Sequence, residues 1–293
     1  MNILVCGAEG FIGRHISAAL RQQGHTVLRG MRRGGDIAMD YTHDVQATVW
    51  RDRLQGVDAV VNAVGILRNS RRTPMTAIHT DSPRALFEAC AVAGVRRIVQ
   101  VSALGVDGNP TLYASSKRAA DESLLALNAA GQTDGVILRP SIVFGLGGAS
   151  SELFLKLAQM AFLILPGAAL RTKVQPVHVH DLAQVVSTLL SAPPGKQDTL
   201  ACVGPRACTL AEFIAELRQQ MTLAPARVWP LPDRLSRWSA RMGDLIPLTP
   251  WGTETLTLLQ QDNTAPAQAF HQLLGHAALS PEFFLTPSQE LAT

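Results

Sequence analysis

Two residues near the middle of the chain, Tyr113 and Lys117, have the types and the spacing that acid–base chemistry requires. Residues four positions apart lie on one face of a helix, so the two side chains are neighbours if this segment is helical. A phenol ionises only near pH ~10 in water, and a nearby ammonium group favours its ionised form. The pair therefore predicts a tyrosine that exchanges a proton with a carbonyl or alcohol oxygen. A packed tyrosine beside a surface lysine is the alternative interpretation.

A glycine pattern at the start of the chain predicts a turn that binds phosphate. Gly7, Gly10 and Gly13 follow an apolar run at residues 2–6 and open a helical pattern at residues 12–23. A phosphate needs close backbone approach, N–H donors and the positive end of a helix dipole, and glycines allow all three. In this position the pattern is typical of a nicotinamide dinucleotide site. A tight turn without a ligand is the alternative.

The segment after the second predicted strand favours one of the two nicotinamide coenzymes. Sheets that bind NAD place an Asp or Glu there for the ribose hydroxyls. Here the chain reads Met31-Arg32-Arg33, and no carboxylate occurs before Asp36. Arg32, together with Arg33, is therefore predicted to contact a 2′-phosphate. This favours NADP(H) as the coenzyme, with NAD(H) as the alternative. The alternative interpretation of Arg32 and Arg33 is that both are solvated loop residues.

Alternating strand and helix patterns position these residues. Strands are predicted at residues 2–6, 25–29, 57–62, 97–102 and 135–138, and helices at 12–23, 83–93 and 113–130. The alternation predicts an α/β fold with a doubly wound parallel Rossmann sheet, whose ligand crevice lies at the carboxyl ends of the strands. We expect residues 1–145 and 171–202 to form this domain. Residues 146–170 and 203–293 are expected to form a smaller, mostly helical substrate subdomain.

The second half of the chain has weaker patterns. Residues 152–165 are predicted to form one apolar helix, with a stripe made of Phe154, Leu157, Ala158, Ala161 and Phe162. Core packing is the favoured interpretation of this stripe, and a lid over an apolar substrate or a surface resting on a membrane are the alternatives. Thr209 and Glu212 have the spacing of a capping box and predict a helix that ends near residue 220.

The composition limits the class of protein. The chain has 293 residues, of which 47% are hydrophobic and 17% charged, which allows a large core. A net charge of +3 without a long basic run argues against a nucleic-acid partner. The four cysteines form no CxxC pair and are predicted to be buried free thiols, and the histidine spacing predicts no metal. Neither a secretory signal nor a transmembrane segment is predicted, so we expect a cytoplasmic protein.

Together these motifs resemble the short-chain dehydrogenase/reductase superfamily, in its extended or atypical branch, which is similar to the NAD-dependent epimerases and dehydratases. The resemblance also rests on Asn62-Ala63-Val64-Gly65, on the run from Leu138 to Gly145, and on the run from Gln175 to Ala183. The segments around Val101 and Leu258 look most like the subgroup that contains the NADPH-binding accessory subunit of respiratory complex I and its bacterial relatives. The superfamily resemblance covers residues 1 to about 200.

The resemblance implies a set of residues that contact the coenzyme. The residues implied at the phosphates and the adenosine are Gly7, Gly10, Phe11, Ile12, Gly13, Arg32, Arg33, Asp40 and Tyr41. Those implied along the groove and beside the nicotinamide are Ala63, Val64, Gly65, Val101, Lys117, Pro140, Ser141, Ile142 and Val143. The catalytic residues implied are Tyr113, Lys117 and Ser102.

One departure from the superfamily pattern bears on turnover. The active Ser or Thr of the superfamily aligns with Ala103, and Ser102 would face the other way on an extended strand. The site therefore has the tyrosine and the lysine but lacks a hydroxyl at the expected position. His79 stands where the branch often has Asn, and we expect it to pack rather than to donate a proton.

The sequence thus predicts an NADP(H)-dependent oxidoreductase that acts on the carbonyl or alcohol group of a small molecule, for which an apolar substrate is one option. An alternative of a different class is an NADPH-holding structural or assembly protein with little turnover, associated with a complex or with a membrane surface. A third is an NAD-dependent sugar-nucleotide epimerase or dehydratase. That third class would favour a hydroxyl at position 103 and an acidic ribose ligand. Neither the substrate nor the oligomeric state can be read from the sequence.

Overall fold

The computed structural model describes residues 1–193, 198–246 and 251–286. The strands are β1 (Asn2–Cys6), β2 (Thr26–Met31), β3 (Ile37–Ala38), β4 (Ala59–Asn62), β5 (Arg97–Val101), β6 (Asp134–Pro140), β7 (Val143–Phe144), β8 (Phe162–Pro166), β9 (Lys173–Val174), β10 (Val177–His178), β11 (Thr199–Cys202), β12 (Cys208–Thr209) and β13 (Arg227–Leu231). The helices are α1 (Phe11–Gln22), α2 (Ser82–Ala93), α3 (Leu112–Ala129), α4 (Ala149–Gln159), α5 (Val179–Ser191), α6 (Leu210–Gln220), α7 (Asp233–Asp244), α8 (Thr253–Leu258) and α9 (Gln268–Leu274).

The chain divides into two compact units. Unit 1 comprises Met1–Pro140 and Leu182–Ala201, and unit 2 comprises Ser141–Asp181 and Cys202–Thr293. Residues 141–145 and 171–181, which are predicted from the sequence to lie in the Rossmann domain, thus belong to unit 2. The reason is that β7 pairs with β10 inside unit 2 and does not join the sheet of unit 1.

Unit 1 contains the predicted doubly wound sheet. Its strand order is β11-β6-β5-β4-β1-β2-β3, and the pairs β1–β2, β1–β4, β2–β3, β4–β5 and β5–β6 are all parallel. The strand order reverses between β1 and β4, which is where such sheets bind ligands, beyond the carboxyl ends of the strands. The residues of β4 are buried, as expected for strands covered by helices on both faces.

The helices of unit 1 lie close to their predicted bounds. The side chain of Thr111 caps α3 by accepting a hydrogen bond from the backbone N–H of Ala114. Gly94 ends α2 in the left-handed conformation, which a glycine adopts without steric cost. These two residues set where α3 begins and where α2 ends, on the two sides of β5 in the chain.

In unit 2, the prediction of a single helix at residues 152–165 is wrong. The helix α4 ends at Gln159, and the chain continues as β8, which pairs in parallel with β13. Short apolar runs fit either periodicity, and the pairing with β13 decides the outcome here. Phe154 and Ala158 do pack in the core of unit 2, whereas Phe162 lies on a strand and is exposed.

Other expectations for unit 2 have mixed outcomes. The capping box is confirmed, because Thr209 and Glu212 each accept a hydrogen bond from the backbone N–H of the other. The segment after the 3₁₀ turn Gly167–Leu170 forms the two short strands β9 and β10, and α5 begins at Val179. The strand β13 lies in a segment expected to be mostly helical.

Cys6, Cys90, Cys202 and Cys208 are buried free thiols, as predicted. Within residues 1–193, 198–246 and 251–286, no helix has the length and apolar character needed to cross a bilayer. The same residues contain no group of three or more His, Cys, Asp or Glu side chains placed to hold a metal ion.

Candidate functional site

The turn between β1 and α1 is held by glycine backbone. Gly7 has φ +79°, and its N–H donates to the carbonyl oxygen of Gly30 at 2.9 Å. The N–H of Gly10 donates to the oxygen of Gly7 at 2.9 Å. A Cβ atom at position 13 would lie well inside van der Waals contact with that same oxygen. Only glycine at position 13 therefore lets α1 start so close to the end of β1.

The N-terminus of α1 has the features of an anion site. No side chain caps it, and its first turn contains no acidic residue. The N–H groups of Phe11, Ile12 and Gly13 belong to the first turn of a helix, which has no intrahelical acceptors for them. Donors of this kind, together with the helix dipole, favour a phosphate group.

A cavity of about 760 Å³ opens at this turn, beside the ends of β1, β2 and β4. That volume lies in the range of small-molecule and cofactor sites. The predicted coenzyme residues that line it are Gly7, Gly10, Arg32, Arg33, Asp40, Tyr41, Val64 and Gly65. The lining residues that were not predicted are Glu9, Gly30, Met31, Met39, Thr42, Ile66, Thr73 and Ile78.

Several of the missed residues had a usable signal. Glu9 lies inside the glycine motif, and Gly30 and Met31 directly precede Arg32. Gly30 is confined by its surroundings, because an added Cβ would meet Met39 Sδ at 2.8 Å. Nothing in the sequence distinguishes Thr73 or Ile78, which only the folded chain brings to the cavity.

Along β2 and the segment after it, some charged side chains form hydrogen bonds with other residues that the structure describes and others do not. The backbone N–H of Arg29 and its Nε donate to Asp36 Oδ2 at 2.8 and 3.1 Å, and this lowers the pKa of Asp36. Asp40 Oδ1 accepts from the N–H and the hydroxyl of Thr42. In the described part of the chain, neither Arg32 nor Arg33 forms an ion pair. Both guanidinium groups are thus available to a ligand in the cavity.

Tyr41 lines the cavity, but its hydroxyl is hydrogen-bonded within the protein. The hydroxyl donates to Asn62 Oδ1 at 2.9 Å, and Asn62 Nδ2 donates to Gln100 Oε1 at 2.7 Å. Tyr41 is only 4% exposed, so its hydroxyl is satisfied within the protein. The chain of bonds ties the loop after β3 to the ends of β4 and β5.

The predicted pair Tyr113 and Lys117 lies on α3. Lys117 Nζ donates to the carbonyl oxygen of Val101 at 2.9 Å, at the end of β5. Burial lowers the pKa of Lys117 to about 8, although Asp121 opposes the shift. Tyr113 is half-buried, and desolvation, aided by the charge of Asp121, raises its pKa to about 12. A Cβ atom at Gly65 would lie 3.3 Å from Lys117 Nζ, so the wall of the cavity adjoins this lysine.

His79 is held as a neutral ring. Its Nε2 accepts from the backbone N–H of Ile66 at 3.0 Å, and its Nδ1 lies 3.1 Å from the hydroxyl of Ser116. That hydroxyl donates to the oxygen of Tyr113, so Nδ1 carries the proton and donates to Ser116. Burial and the charge of Lys117 lower the pKa of His79 to about 2. The ring packs edge-on against Tyr113 and supports it without titrating near neutrality.

The hydroxyl of Ser102 forms its hydrogen bond with Asp121 and not with Tyr113. That hydroxyl donates to Asp121 Oδ2 at 2.8 Å, and Arg139 Nη2 donates to the same oxygen at 3.2 Å. Burial raises the pKa of Asp121, whereas Ser102 and the cations Arg139 and Lys117 lower it. The residue after Ser102 is Ala103, which brings no hydroxyl.

The remaining predicted residues have other surroundings. Ala63 packs against the turn at Gly7, and the carbonyl of Val101 accepts from Lys117. Pro140 ends unit 1, whereas Ser141, Ile142 and Val143 belong to unit 2. There the hydroxyl of Ser141 donates to the oxygen of Asn263 at 3.0 Å. Contact of these residues with a coenzyme stays a prediction.

Comparisons with known proteins agree with this geometry. The profile of the NAD dependent epimerase/dehydratase family matches residues 3–201. The chain is 25% identical to "NADH dehydrogenase [ubiquinone] 1 alpha subcomplex subunit 9, mitochondrial" of Rattus norvegicus, over 85% of this chain and 69% of that protein. It is 27% identical to a ceramide reductase of Caulobacter vibrioides, over 62% of this chain and 58% of that protein. The solved structure of MoeE5 in complex with UDP-glucuronic acid and NAD has a TM-score of 0.70 and 19% identity, and covers 100% of this chain and 99% of that one.

Proposed function

This chain belongs to the NAD dependent epimerase/dehydratase family, and on that premise we propose that it is an NADP(H)-dependent reductase of a small carbonyl compound. The proposal has two parts, which are the choice of coenzyme and the identity of the proton donor. The family membership supports a nicotinamide coenzyme in the cavity of unit 1. The name of the similar ceramide reductase supports reduction as the type of reaction.

The preference for NADP(H) rests on Arg32 and Arg33. Both line the cavity, and within the described residues no carboxylate pairs with either. Asp36 and Asp40, the carboxylates that follow β2, already accept hydrogen bonds from Arg29 and Thr42. A 2′-phosphate would thus meet two guanidinium groups that form no ion pair, whereas a ribose diol would compete with Arg29 for Asp36 and with Thr42 for Oδ1 of Asp40.

The residues fit the coenzyme at its phosphates too. The first turn of α1 would hold the pyrophosphate, and Lys117 would lie at the end of the cavity marked by Gly65. A bound NADPH supplies the hydride that reduces a carbonyl carbon. Tyr113 would donate the proton to the carbonyl oxygen, and its high pKa keeps it protonated at neutral pH. The Lys117 ammonium would stabilise the phenolate that remains.

The single observation that carries this proposal is the position of Lys117. Its Nζ is held by Val101 at the carboxyl end of β5 and adjoins the cavity at Gly65. A direct test is to incubate the purified protein with NADPH and a panel of aldehydes and ketones, and to follow oxidation of the coenzyme. The proposal requires turnover that is lost in Tyr113→Phe. Equal rates in the two proteins would assign the proton transfer to another group.

A second candidate function is an NADPH-holding protein with little turnover. Two observations favour it, namely Ala103 at the position of the usual hydroxyl and the bond from Ser102 to Asp121. A missing donor of this type costs ~10²–10³-fold in rate. Ala103→Ser should then raise turnover and leave NADPH affinity unchanged. Firm NADPH binding with no turnover in either protein would favour this second function.

A further inference from the structure

Unit 2 exposes large apolar side chains on the strands β8 and β13 and on the helix α7. Five of them, together with Leu245 directly after α7, are between 52% and 73% exposed: Phe162, Ile164, Trp229, Leu235 and Trp238. Isolated apolar residues are common on protein surfaces, but a cluster of this kind marks an interaction site. The proposed reductase chemistry uses none of them.

The two strands present one apolar face. Phe162 and Ile164 are exposed, whereas Leu163 between them is buried. In the parallel pairing, Ile164 lies opposite Trp229 and Phe162 lies opposite Arg227. Paired residues project from the same face of a sheet, so the four exposed side chains form one group. The guanidinium of Arg227 lies 5.8 Å from the ring centre of Phe162.

The helix α7 begins two residues after β13 and also carries exposed apolar side chains and arginines. Its buried side is made of small residues, Ser236, Ala240 and Gly243. A Cβ atom at Gly243 would collide with the backbone oxygen of Trp251, so this side is in close contact with the rest of unit 2. The close contact fixes which faces of α7 are turned to solvent.

Two stripes cover the exposed side of α7. Leu235, Trp238 and Met242 have helical spacing and form the apolar stripe. Arg234, Arg237 and Arg241 have the same spacing one residue earlier and form a cationic stripe beside it.

The charges on this helix are unbalanced. No ion pair involves the three arginines of the cationic stripe within the described ranges. The acidic residues at the two ends of the helix are committed elsewhere, Asp233 to Arg171 and Asp244 to Thr253.

We propose that the exposed side chains of β8, β13 and α7, called here the aromatic–arginine face, dock on the surface of a membrane that contains anionic phospholipid. Exposed tryptophans beside a row of arginines match the interface between headgroups and acyl chains. The apolar side chains would enter that interface, and the arginines would contact lipid phosphates. The proposal concerns attachment of the protein and goes beyond its reaction.

Charge argues against a second copy as the occupant. A symmetric dimer brings the same patch of both subunits together. The stripe of Arg234, Arg237 and Arg241 would then face arginines, with no free carboxylate of α7 between them. An anionic surface removes this repulsion.

The experiment is flotation of the full chain with phospholipid vesicles. One set is phosphatidylcholine alone, and the other is a mixture of phosphatidylcholine and phosphatidylglycerol. We expect binding to the mixed vesicles and a strong loss of binding in 1 M salt, where the screening length falls to ~3 Å. Vesicles with brominated acyl chains should quench tryptophan fluorescence, since Trp229 and Trp238 are exposed whereas Trp50 is buried.

Variants separate the two stripes. The triple change Arg234→Gln, Arg237→Gln and Arg241→Gln should weaken binding ~100-fold, at about fivefold per arginine. Trp238→Gln should weaken binding and reduce the quenching. The matched controls are Arg84→Gln and Val92→Gln, two exposed positions on α2 of unit 1, and both should bind as the unmodified protein does.

Three outcomes would overturn the proposal. The first is an unmodified protein that does not float with the mixed vesicles. The second is binding that the control variants weaken as much as the α7 variants do. The third is self-association that Trp238→Gln abolishes, measured by sedimentation without lipid, together with no flotation, which would assign the face to a second copy. Thermal melts of all variants should match, because the substituted side chains are exposed.

Discussion

The cavity beside β1, β2 and β4 and the face of α3 next to it are built in opposite ways. The cavity is made of backbone, of glycines and of charged side chains, among which Arg32 and Arg33 form no ion pair in the described part of the chain. The α3 face is made of the half-buried Tyr113 and of the buried Lys117, whose Nζ donates to the oxygen of Val101. His79 packs against Tyr113 from an earlier segment, and its Nε2 accepts from the N–H of Ile66. Both belong to unit 1, and they adjoin at Gly65.

The difference indicates how binding and chemistry are divided. Free donors and free cations can bind a ligand without first breaking bonds within the protein. Groups that are buried and already bonded keep fixed positions and shifted pKa values, as catalytic groups require. Changes in the cavity should therefore alter affinity, and changes on the α3 face should alter turnover. Three substitutions and one dependence on pH test that division, from the largest expected effect to the smallest.

The largest effect is expected from Tyr113→Phe. Removal of the proton donor should lower kcat of carbonyl reduction by ~10²–10⁴-fold. The dissociation constant of NADPH should change by no more than a few-fold, because the proposed role of the phenol is to protonate the substrate. Stopped-flow kinetics and calorimetric titration measure the two quantities.

The matched control is Tyr41→Phe, at the only other tyrosine of the chain. It removes the bond to Asn62, so it should lower the free energy of unfolding and leave kcat close to normal. A Tyr113→Phe enzyme that turns over normally would end the assignment of chemistry to α3.

The second effect is expected from Gly13→Ala, in the turn that adjoins the cavity. The added methyl group would collide with the oxygen of Gly7, and overpacking of this kind costs ~1–3 kcal/mol. We expect NADPH affinity to fall up to ~100-fold, with a lower free energy of unfolding in urea. Gly10→Ala is the graded comparison, since its methyl group would lie 3.1 Å from the same oxygen. A larger loss of stability for Gly10→Ala than for Gly13→Ala would contradict this account of the turn.

The third effect is a change of coenzyme preference. The unmodified protein should bind NADPH more tightly than NADH, by roughly ten- to a hundredfold for one charged contact of ~1.5–3 kcal/mol. Arg32→Ala should remove most of that difference by weakening NADPH alone. Arg84→Ala, on the exposed side of α2, is the control. Equal affinities of the unmodified protein for the two coenzymes would refute the role of Arg32.

The smallest effect is a dependence on pH. Lys117 is protonated below its pKa of about 8 and loses its charge as the pH rises through that value. The rate of reduction should therefore be level below pH ~8 and then fall, by about tenfold one unit above the pKa. In Lys117→Arg the fall should move to higher pH, because a guanidinium stays charged. A profile identical in both proteins would show that Lys117 does not set it.

Much of the candidate coenzyme cavity could be predicted because it depends on local sequence. Gly7, Gly10 and Gly13 lie within seven residues, and the turn needs those residues whatever surrounds it. The absence of a carboxylate between Met31 and Asp36 is equally local. The same holds for the helical spacing of Tyr113 and Lys117, which α3 preserves.

Other features could not be predicted because they depend on distant segments. The tautomer of His79 is set by Ile66 and Ser116, and the state of Ser102 is set by Asp121 and Arg139. The local pattern predicts a helix at Phe162–Pro166, but this segment forms a strand. Its partner strand lies some sixty residues later in the chain, where a local pattern gives no sign of it. A short apolar run has no preference strong enough to overrule such a partner.

The sequence by itself determined the alternation of the strands β1, β2, β4, β5 and β6 with the helices α1, α2 and α3, the glycine turn and the face shared by Tyr113 and Lys117. Each of these follows from residues close together in the chain, through backbone sterics and helical or strand periodicity. Only the tertiary structure decided which polar groups are free to act. Burial and hydrogen bonds from other elements engage Ser102, hold His79 neutral, lower the pKa of Lys117 and leave Arg32 open. It also placed the apolar side chains of β8, β13 and α7 in solvent, because the small residues of α7 are the ones that pack.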